Sequence, residues 1–409
     1  MTKQCFIHLC QSIVTGVGEE EFKSESWLSI QSADNSKISQ MMRAHKATSG
    51  GFVCGEVKLA IALRILSGGS YLDVSEIFHV TPTACYKMLH KVLKEWICDN
   101  RMHKIDINEY LNNKSLMDET ATEFSESSDN HLKNVIGALD GWLVRIKCPS
   151  SDEVKNPGNY HCRKGFYALN VQVIVDKKKR VLWHSIKSIG KAHDSAAFKS
   201  TALYKQLLLK AKELSEGQYF FIGDSAYGLR SFLITPYDNA KPNTPNDDFN
   251  FYLSSARISI ECAFGEIDMR WGIFWKRLSF SLENTVNIID AALRLHNFIV
   301  NFRENEKKEK INKKKRKFTK LPNEFDEYEL DCTKFSAMYP EELVGVFGDN
   351  QNDERKKGRL DKNITELRNL GSSMRDYLRD SLDRNGMKRI RKKRYKRNQN
   401  NHVISLHNN

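Results

Sequence analysis

The stretch Tyr219 to Gly228, YFFIGDSAYG, constrains this chain more than any other, because an apolar run stops there abruptly on a carboxylate. Tyr219, Phe220, Phe221 and Ile222 are aromatic and β-branched and too few for a helix, so they read as a strand buried on both faces. Gly223 lets the backbone turn, and Asp224 follows. In open α/β sheets the crevice beyond the carboxyl ends of the strands is where ligands bind, so an Asp there is placed for chemistry. The bland alternative is that Asp224 caps a helix opening at Ser225 and Ala226.

Two further carboxylates stand in demanding contexts. VIGALDGWLVRIKCP, Val135 to Pro149, reads as an apolar strand with Asp140 in its middle and Gly141 after it. A carboxylate inside a buried strand must be paired, protonated or on a metal. Glu261 lies in RISIECAFGEIDMRW, on a helix expected from about Ser255 to Trp271, where spacing turns Ile258, Ala263 and Phe264 inward beside it. Asp140, Asp224 and Glu261 together form an acidic set able to hold two divalent ions about 4 Å apart, the arrangement for in-line displacement at phosphorus. Oxygen ligands favour Mg²⁺ or Mn²⁺ over zinc. Asp268 competes with Glu261 for the third place, but two helical turns separate them by about 10 Å, so only one can belong.

The 409 residues suffice for several domains, and no run of 18 apolar residues suggests a membrane span. The amino terminus, interrupted by Gln4, His8 and Gln11, does not read as a secretory signal. Nine scattered cysteines without a C-x-x-C pair fit reduced intracellular thiols, and His161–Cys162 lacks the second pair that a zinc site needs. The net charge of +13 is unevenly spread: from Arg303 onward 28 Lys and Arg face 18 Asp and Glu, against 36 and 33 before it. A polyanionic partner follows, and KKEKINKKKRK (Lys307 to Lys317) and KRIRKKRYKR (Lys388 to Arg397) read as nuclear-import signals or general DNA contacts.

Between Gly55 and Ile97 three helical periods are separated by turn signals. Thr81 and Pro82 open the third as N-cap and N1, and Lys87, Lys91 and Lys94 form a cationic row on it. This spacing suits a helix-turn-helix whose third helix contacts DNA through Thr83, Tyr86, Lys87, His90, Lys91 and Lys94, or else a plain bundle with a solvated Lys face. Leu169 to Asp176 and Arg180 to Ile189 alternate around a Lys-rich turn, which predicts a β-hairpin, and a helix follows with Asp194 or Ser195 as its cap. Lys164 and Arg257 can reach phosphates or pair with acids, and His193 is a further phosphate or substrate candidate. Ile364, Leu367, Met374, Leu378 and Leu382 suggest an amphipathic helix in the tail, a candidate segment for docking a partner.

LDGW at Asp140, RKGFYALNVQVIVD from Arg163, GKAHDSAAF from Gly190, GDSAYGLRSFLITPY from Gly223, the Glu261 stretch and LHNF at Leu295 together resemble the PIF/Harbinger-type DDE transposases and their domesticated nuclease relatives. The resemblance spans roughly residues 55–300. It implies an α/β, RNase H-like mixed five-stranded sheet with flanking helices over 134–302, preceded by an all-α helix-turn-helix domain at 51–100. Outside it, composition makes residues 1–50 an arm of mixed order, 101–133 a polar, acidic linker with one short helix, and 303–409 a basic, largely disordered tail. The resemblance also maps Asp140, Asp224 and Glu261 to the D, D and E that bind two metal ions. Ala226, Ala168 and Trp142 depart from residues common in relatives, which bears on substrate geometry and not on the carboxylates. The implied function is metal-dependent DNA cleavage and strand transfer at element ends in the nucleus, on double-stranded DNA, as a homo-oligomer and with a separate Myb-like DNA-binding protein. The alternative is a domesticated, catalytically silent DNA-binding or scaffolding protein.

Overall fold

The computed structural model describes residues 1–17, 53–126, 132–318 and 354–389. Helix α1 (Lys3–Val17) buries Leu9, Cys10 and Ile13, so the start of the expected arm belongs to the core. Its polar residues had hidden the period. Helices α2 (Gly55–Leu66), α3 (Tyr71–Phe78) and α4 (Pro82–Lys91) lie where the three periods fall. The Thr81 hydroxyl accepts from Ala84 N–H at 3.2 Å, and α4 continues into a wider π-helical stretch, Val92–Asp99, whose Trp96 is buried.

The stretch read as a linker holds two helices, α5 (Ile107–Asn112) and α6 (Lys114–Glu126). Their acidic faces are solvated, while Tyr110, Leu111, Met117 and Phe124 are buried and the Tyr110 hydroxyl donates to Ile136 O at 2.8 Å. That concealed stripe is why a polar composition misled.

Strand β1 (Val135–Arg145) pairs antiparallel with β2 (Ala168–Val175), which pairs antiparallel with β3 (Val181–Ile189). The expected hairpin closes through Asp176, which accepts from Arg180 N–H at 2.7 Å, and through Lys179 at φ 69°. After α7 (Asp194–Lys199) and α8 (Ala202–Glu216), strands β4 (Phe220–Ile222) and β5 (Leu233–Ile234) add on parallel to β1. The result is one mixed five-stranded sheet in the order β3-β2-β1-β4-β5.

Helix α9 (Pro245–Arg270) begins ten residues before the expected Ser255, because Thr244 caps it, Pro245 opens it, and Asp247 and Asp248 favour its positive end. Helix α10 (Leu282–Phe318) carries the first basic run on its extension. One face of the sheet packs on α9, α10 and the amino-terminal helices, and the other on α5, α7 and α8.

A final helix, α11 (Glu354–Arg384), covers the amphipathic stripe expected within the tail and begins before it. The end of the amphipathic stripe docks within the chain: Leu378 and Leu382 are buried, Arg375 lies 4.0 Å from the centre of the Tyr237 ring, and the Tyr237 hydroxyl bonds Asp376. The expectations for residues 18–52, 127–131, 319–353 and 390–409, including most of the second basic run, lie outside the described residues.

Leu382 is 1% exposed, so Leu382→Ala should lower the unfolding free energy by about 2–5 kcal/mol in urea titrations, whereas Tyr377→Ala, 61% exposed, should change it little. Equal effects of the two would show that α11 does not dock.

Candidate active site

Pairing register brings the first two carboxylates together. Ala138 of β1 stands opposite Ile222 of β4 in a parallel pair, so two residues further on Asp140 and Asp224 come level, just beyond the end of β4. One extra residue between Val135 and Ala138 shifts that register. This bulge moves Ala138, Asp140, Trp142 and Val144 to the α9 face, the face Val135 already occupies. Asp224 is half-buried and starts a turn, accepting from Ala226 N–H at 2.7 Å, so no helix follows for it to cap.

The third carboxylate arrives through a cation. Asp140 Oδ1 accepts from Gly141 N–H at 2.8 Å, and its Oδ2 lies 3.1 Å from Arg257 Nη1. The other arm of the same guanidinium, Nη2, lies 3.2 Å from Glu261 Oε1, one turn along α9. Glu261 is not a core residue: its side chain is 48% exposed against 21% for Asp140, and Ile258 is exposed as well. Ile260, Ala263 and Ile267 face inward instead, a phase offset that short apolar windows do not resolve. Burial pushes Asp140 up to about 7, with Asp224 and Asp194 adding to the rise and Arg257 opposing it.

A fourth carboxylate, read from sequence as a helix cap, belongs to this cluster. The cap of α7 is His193, whose Nδ1 accepts from Ser195 N–H at 3.4 Å. Asp194 is instead held from β2: Asn170 Nδ2 donates to its Oδ1 at 2.8 Å and Gln172 Nε2 lies 3.4 Å away. A Cβ at position 141 would meet that Oδ1 at 2.4 Å, so Gly141 is what admits Asp194 to the β1 backbone. The buried Tyr227 hydroxyl donates to Gln172 Oε1 at 2.7 Å, and its phenol is pushed well up by burial and by Asp140, Asp194 and Asp224. Asn170 and Gln172, two amides in a fully buried strand, were the available signal for this network.

Residues 139–297 match the family model described as DDE superfamily endonuclease. That match and the curated relatives support a Harbinger-type, DDE transposase-derived nuclease. It is 26% identical over 262 residues to Protein ALP1-like of Arabidopsis thaliana, covering 60% of this chain and 61% of that one. It is 29% identical over 174 residues to Putative nuclease HARBI1 of Rattus norvegicus, covering 41% and 46%. The chain thus spans about half to three fifths of the length of these relatives. Among solved structures, a pre-cleavage Mos1 transpososome shows 12% identity at a TM-score of 0.23 over 75% of this chain and 95% of that one, too slight a likeness to carry an argument.

Other motifs of the DDE domain are architectural. In LHNF, His296 Nε2 lies 2.8 Å from Lys179 O, and Asn297 pairs with both backbone groups of Val181, at 2.7 and 2.9 Å. The two side chains therefore clamp the β2–β3 turn. Trp142 stacks on Phe264 at 5.9 Å and meets Phe274 edge-on at 4.9 Å, which accounts for an aromatic residue beside Asp140. Asp268 is pushed up to about 6 by burial, away from the Arg257 bridge.

The candidate DNA contacts are not equivalent. Thr83 and Lys87 are exposed on α4, while Tyr86 and His90 pack on Phe280, with ring centres 5.7 and 5.8 Å from it. Lys94 Nζ lies 2.7 Å from Glu283, so the cationic row is partly spent within the chain; Lys91 is half-buried. Lys164 is exposed beside Gly165, and His193 is exposed at its cap.

Among the described residues no three His, Cys, Asp or Glu side chains converge on one point as metal ligands. The donor chemistry nevertheless fits a hard cation: oxygen ligands alone, with Asp140 and Asp224 level and Glu261 one guanidinium away.

In metal-free protein, a folded Asp140 that titrates near 7 keeps a proton that the unfolded chain has lost above about pH 4. That stability is present at low pH and falls as pH rises from about 4 to about 7. In EDTA, Asp140→Asn should therefore melt higher than the parent at about pH 8, with the gap closing near pH 4. Identical melting temperatures at the higher pH would remove this claim.

Proposed function

We propose that the chain is a DNA transposase or endonuclease of the Harbinger type, cutting and joining strands at element ends in the nucleus. The observation that carries this reading is the placing of Asp140 and Asp224 side by side beyond β4, with Glu261 tied to Asp140 through Arg257. Sheet order and strand directions support an RNase H-like domain around them.

Asp140, Asp224 and Glu261 would hold the divalent ions, Mg²⁺ or Mn²⁺, which when bound activate the attacking oxygen and stabilise the leaving oxygen. Arg257 neutralises Asp140 and Glu261 in the metal-free chain, and its fork suits a phosphate once those carboxylates are otherwise engaged. Asn170, Gln172 and Tyr227 hold Asp194 beside the same crevice. Helices α2 to α4 would contact duplex DNA as a helix-turn-helix, with Thr83 and Lys87 available for base edges. The basic runs would add sequence-independent phosphate contacts, alongside a second copy and a Myb-like partner.

Incubated with Mg²⁺ or Mn²⁺ and its partner, the protein should nick duplexes carrying the element ends. Asp140→Asn, Asp224→Asn and Glu261→Gln should each abolish nicking while leaving the fold intact, and Asp268→Asn should remain active. A parental rate in any of the first three takes that residue out of the ligand set.

Recognition is tested separately, by anisotropy on element-end and scrambled duplexes at several salt concentrations. Thr83→Ala and Lys87→Ala should narrow the preference for element ends, each by about 1–3 kcal/mol if it contacts a base edge. Unchanged discrimination in both would make α4 a structural helix and leave recognition to the partner.

A further inference from the structure

The edge of β3, two strands away from Asp140, borders a cavity of ≈ 520 Å³ that the acidic site does not use. Its walls are the start of β3, the segment from Arg101 to Asn108, the start of α8, and Leu293, Arg294 and Asn297 of α10. Arg101 and Lys104 bring exposed positive charge to the lining; His184 and Arg294 both contact Asp290, burial holds His103 below the usual imidazole range, and the one lining acid, Asp106, caps α5 by accepting from Asn108 N–H at 2.8 Å.

Two of these groups are buried with hydrogen-bonding capacity to spare. Arg294 is 5% exposed; its Nε and Nη2 each lie 2.8 Å from Asp290, but Nη1 is buried without a hydrogen-bond partner. His103 Nε2 is likewise buried without a partner. A buried donor left unpaired costs about 1–3 kcal/mol, more when charged, so such a pair is unfavourable unless something occupies the cavity. The loop that delivers them is held deliberately: Arg101 and His103 take φ 49° and 51°, and Asn297 Nδ2 donates to His103 O at 3.2 Å. Left-handed backbone at residues other than glycine persists where the surroundings fix it, and such positions gather at ligand clamps.

We propose that this cavity is a nucleotide-phosphate site, with Arg294, His103, Arg101 and Lys104 receiving the phosphate and Trp183 stacking on the base. A tetrahedral oxyanion accepts at once from the free Nη1 of Arg294 and from several further N–H donors on its other faces. The half-buried Trp183 on the wall, with the amides of Asn108 and Gln206, supplies a stacking surface and base-edge partners. The nucleotide is either free or the end of a DNA strand; the phosphate chemistry is common to both.

The test is calorimetric titration of the full chain in EDTA with inorganic phosphate, dAMP, deoxyadenosine and a six-nucleotide single strand. Phosphate and dAMP should bind saturably and deoxyadenosine should not. Arg101→Glu with Lys104→Glu, both exposed positions, should weaken dAMP at least tenfold without lowering the melting temperature, and Arg294→Gln should weaken it as well. Should Arg294→Gln fail to fold, the double variant decides alone. Binding of dAMP without the single strand assigns a free nucleotide, and a single-strand affinity that falls in the double variant assigns a strand end. No saturable dAMP binding at millimolar concentration, deoxyadenosine binding as well as dAMP, or an unaffected double variant overturns the proposal.

Discussion

The parallel pairing of β1 with β4 is the constraint on which the site depends. Three residues of β4 suffice, because Phe220 to Ile222 are completely enclosed. Gly137 makes the bulged approach possible: a Cβ there would lie 2.9 Å from Ile174 and 3.1 Å from Phe221. The bulge also inverts the faces of β1, since a side-chain period of two flips with every inserted residue. Asp140 thereby faces α9 and its arginine, while Gly141 faces α7 and Asp194.

Around that pairing the chain places two kinds of polar support. On the α9 face one guanidinium spans Asp140 and Glu261, so the acidic pair is held by a positive charge on a long side chain. On the other face neutral amides hold Asp194, through Asn170 and Gln172, with Tyr227 completing the network. A cation bridge can be exchanged for another cation with little loss, whereas an amide network fixes geometry. Asp140 and Asp194 are therefore supported differently, one by a cation and one by neutral amides, on the two faces of β1.

The rest of the fold braces these walls from both termini. Helix α1 and the α4 extension pack on α10, and α11 lies along α9 and the β5 edge. Gly371 is needed for the last contact, because a Cβ there would come 2.6 Å from the Arg230 backbone. A sheet edge covered by a helix does not offer its backbone groups to another chain. The same covering explains why a tail with a strong positive balance still contributes buried leucines.

By itself the sequence marked the strands, the three helices after Gly55 and three carboxylates as candidates, while α1, α5 and α6 stayed concealed in polar stretches. Val, Ile and aromatic runs bounded by glycine give strands, Thr-Pro pairs open helices, and an Asp at the end of an apolar run is legible because burial of a charge is costly. Tertiary structure decided what no local pattern encodes. A one-residue bulge chose the face of Asp140, and the phase of a helix with nearly uniform hydrophobicity put Glu261 toward solvent beside Arg257. Asp194, an ordinary cap candidate in sequence, became part of the crevice because His193 took the cap and Gly141 left room for its carboxylate. Tyr86 and His90 pack on Phe280, and Lys94 meets Glu283, contacts that no local pattern shows. In each case the deciding contact joins residues far apart in the chain, so its energy is invisible to any window of neighbouring residues.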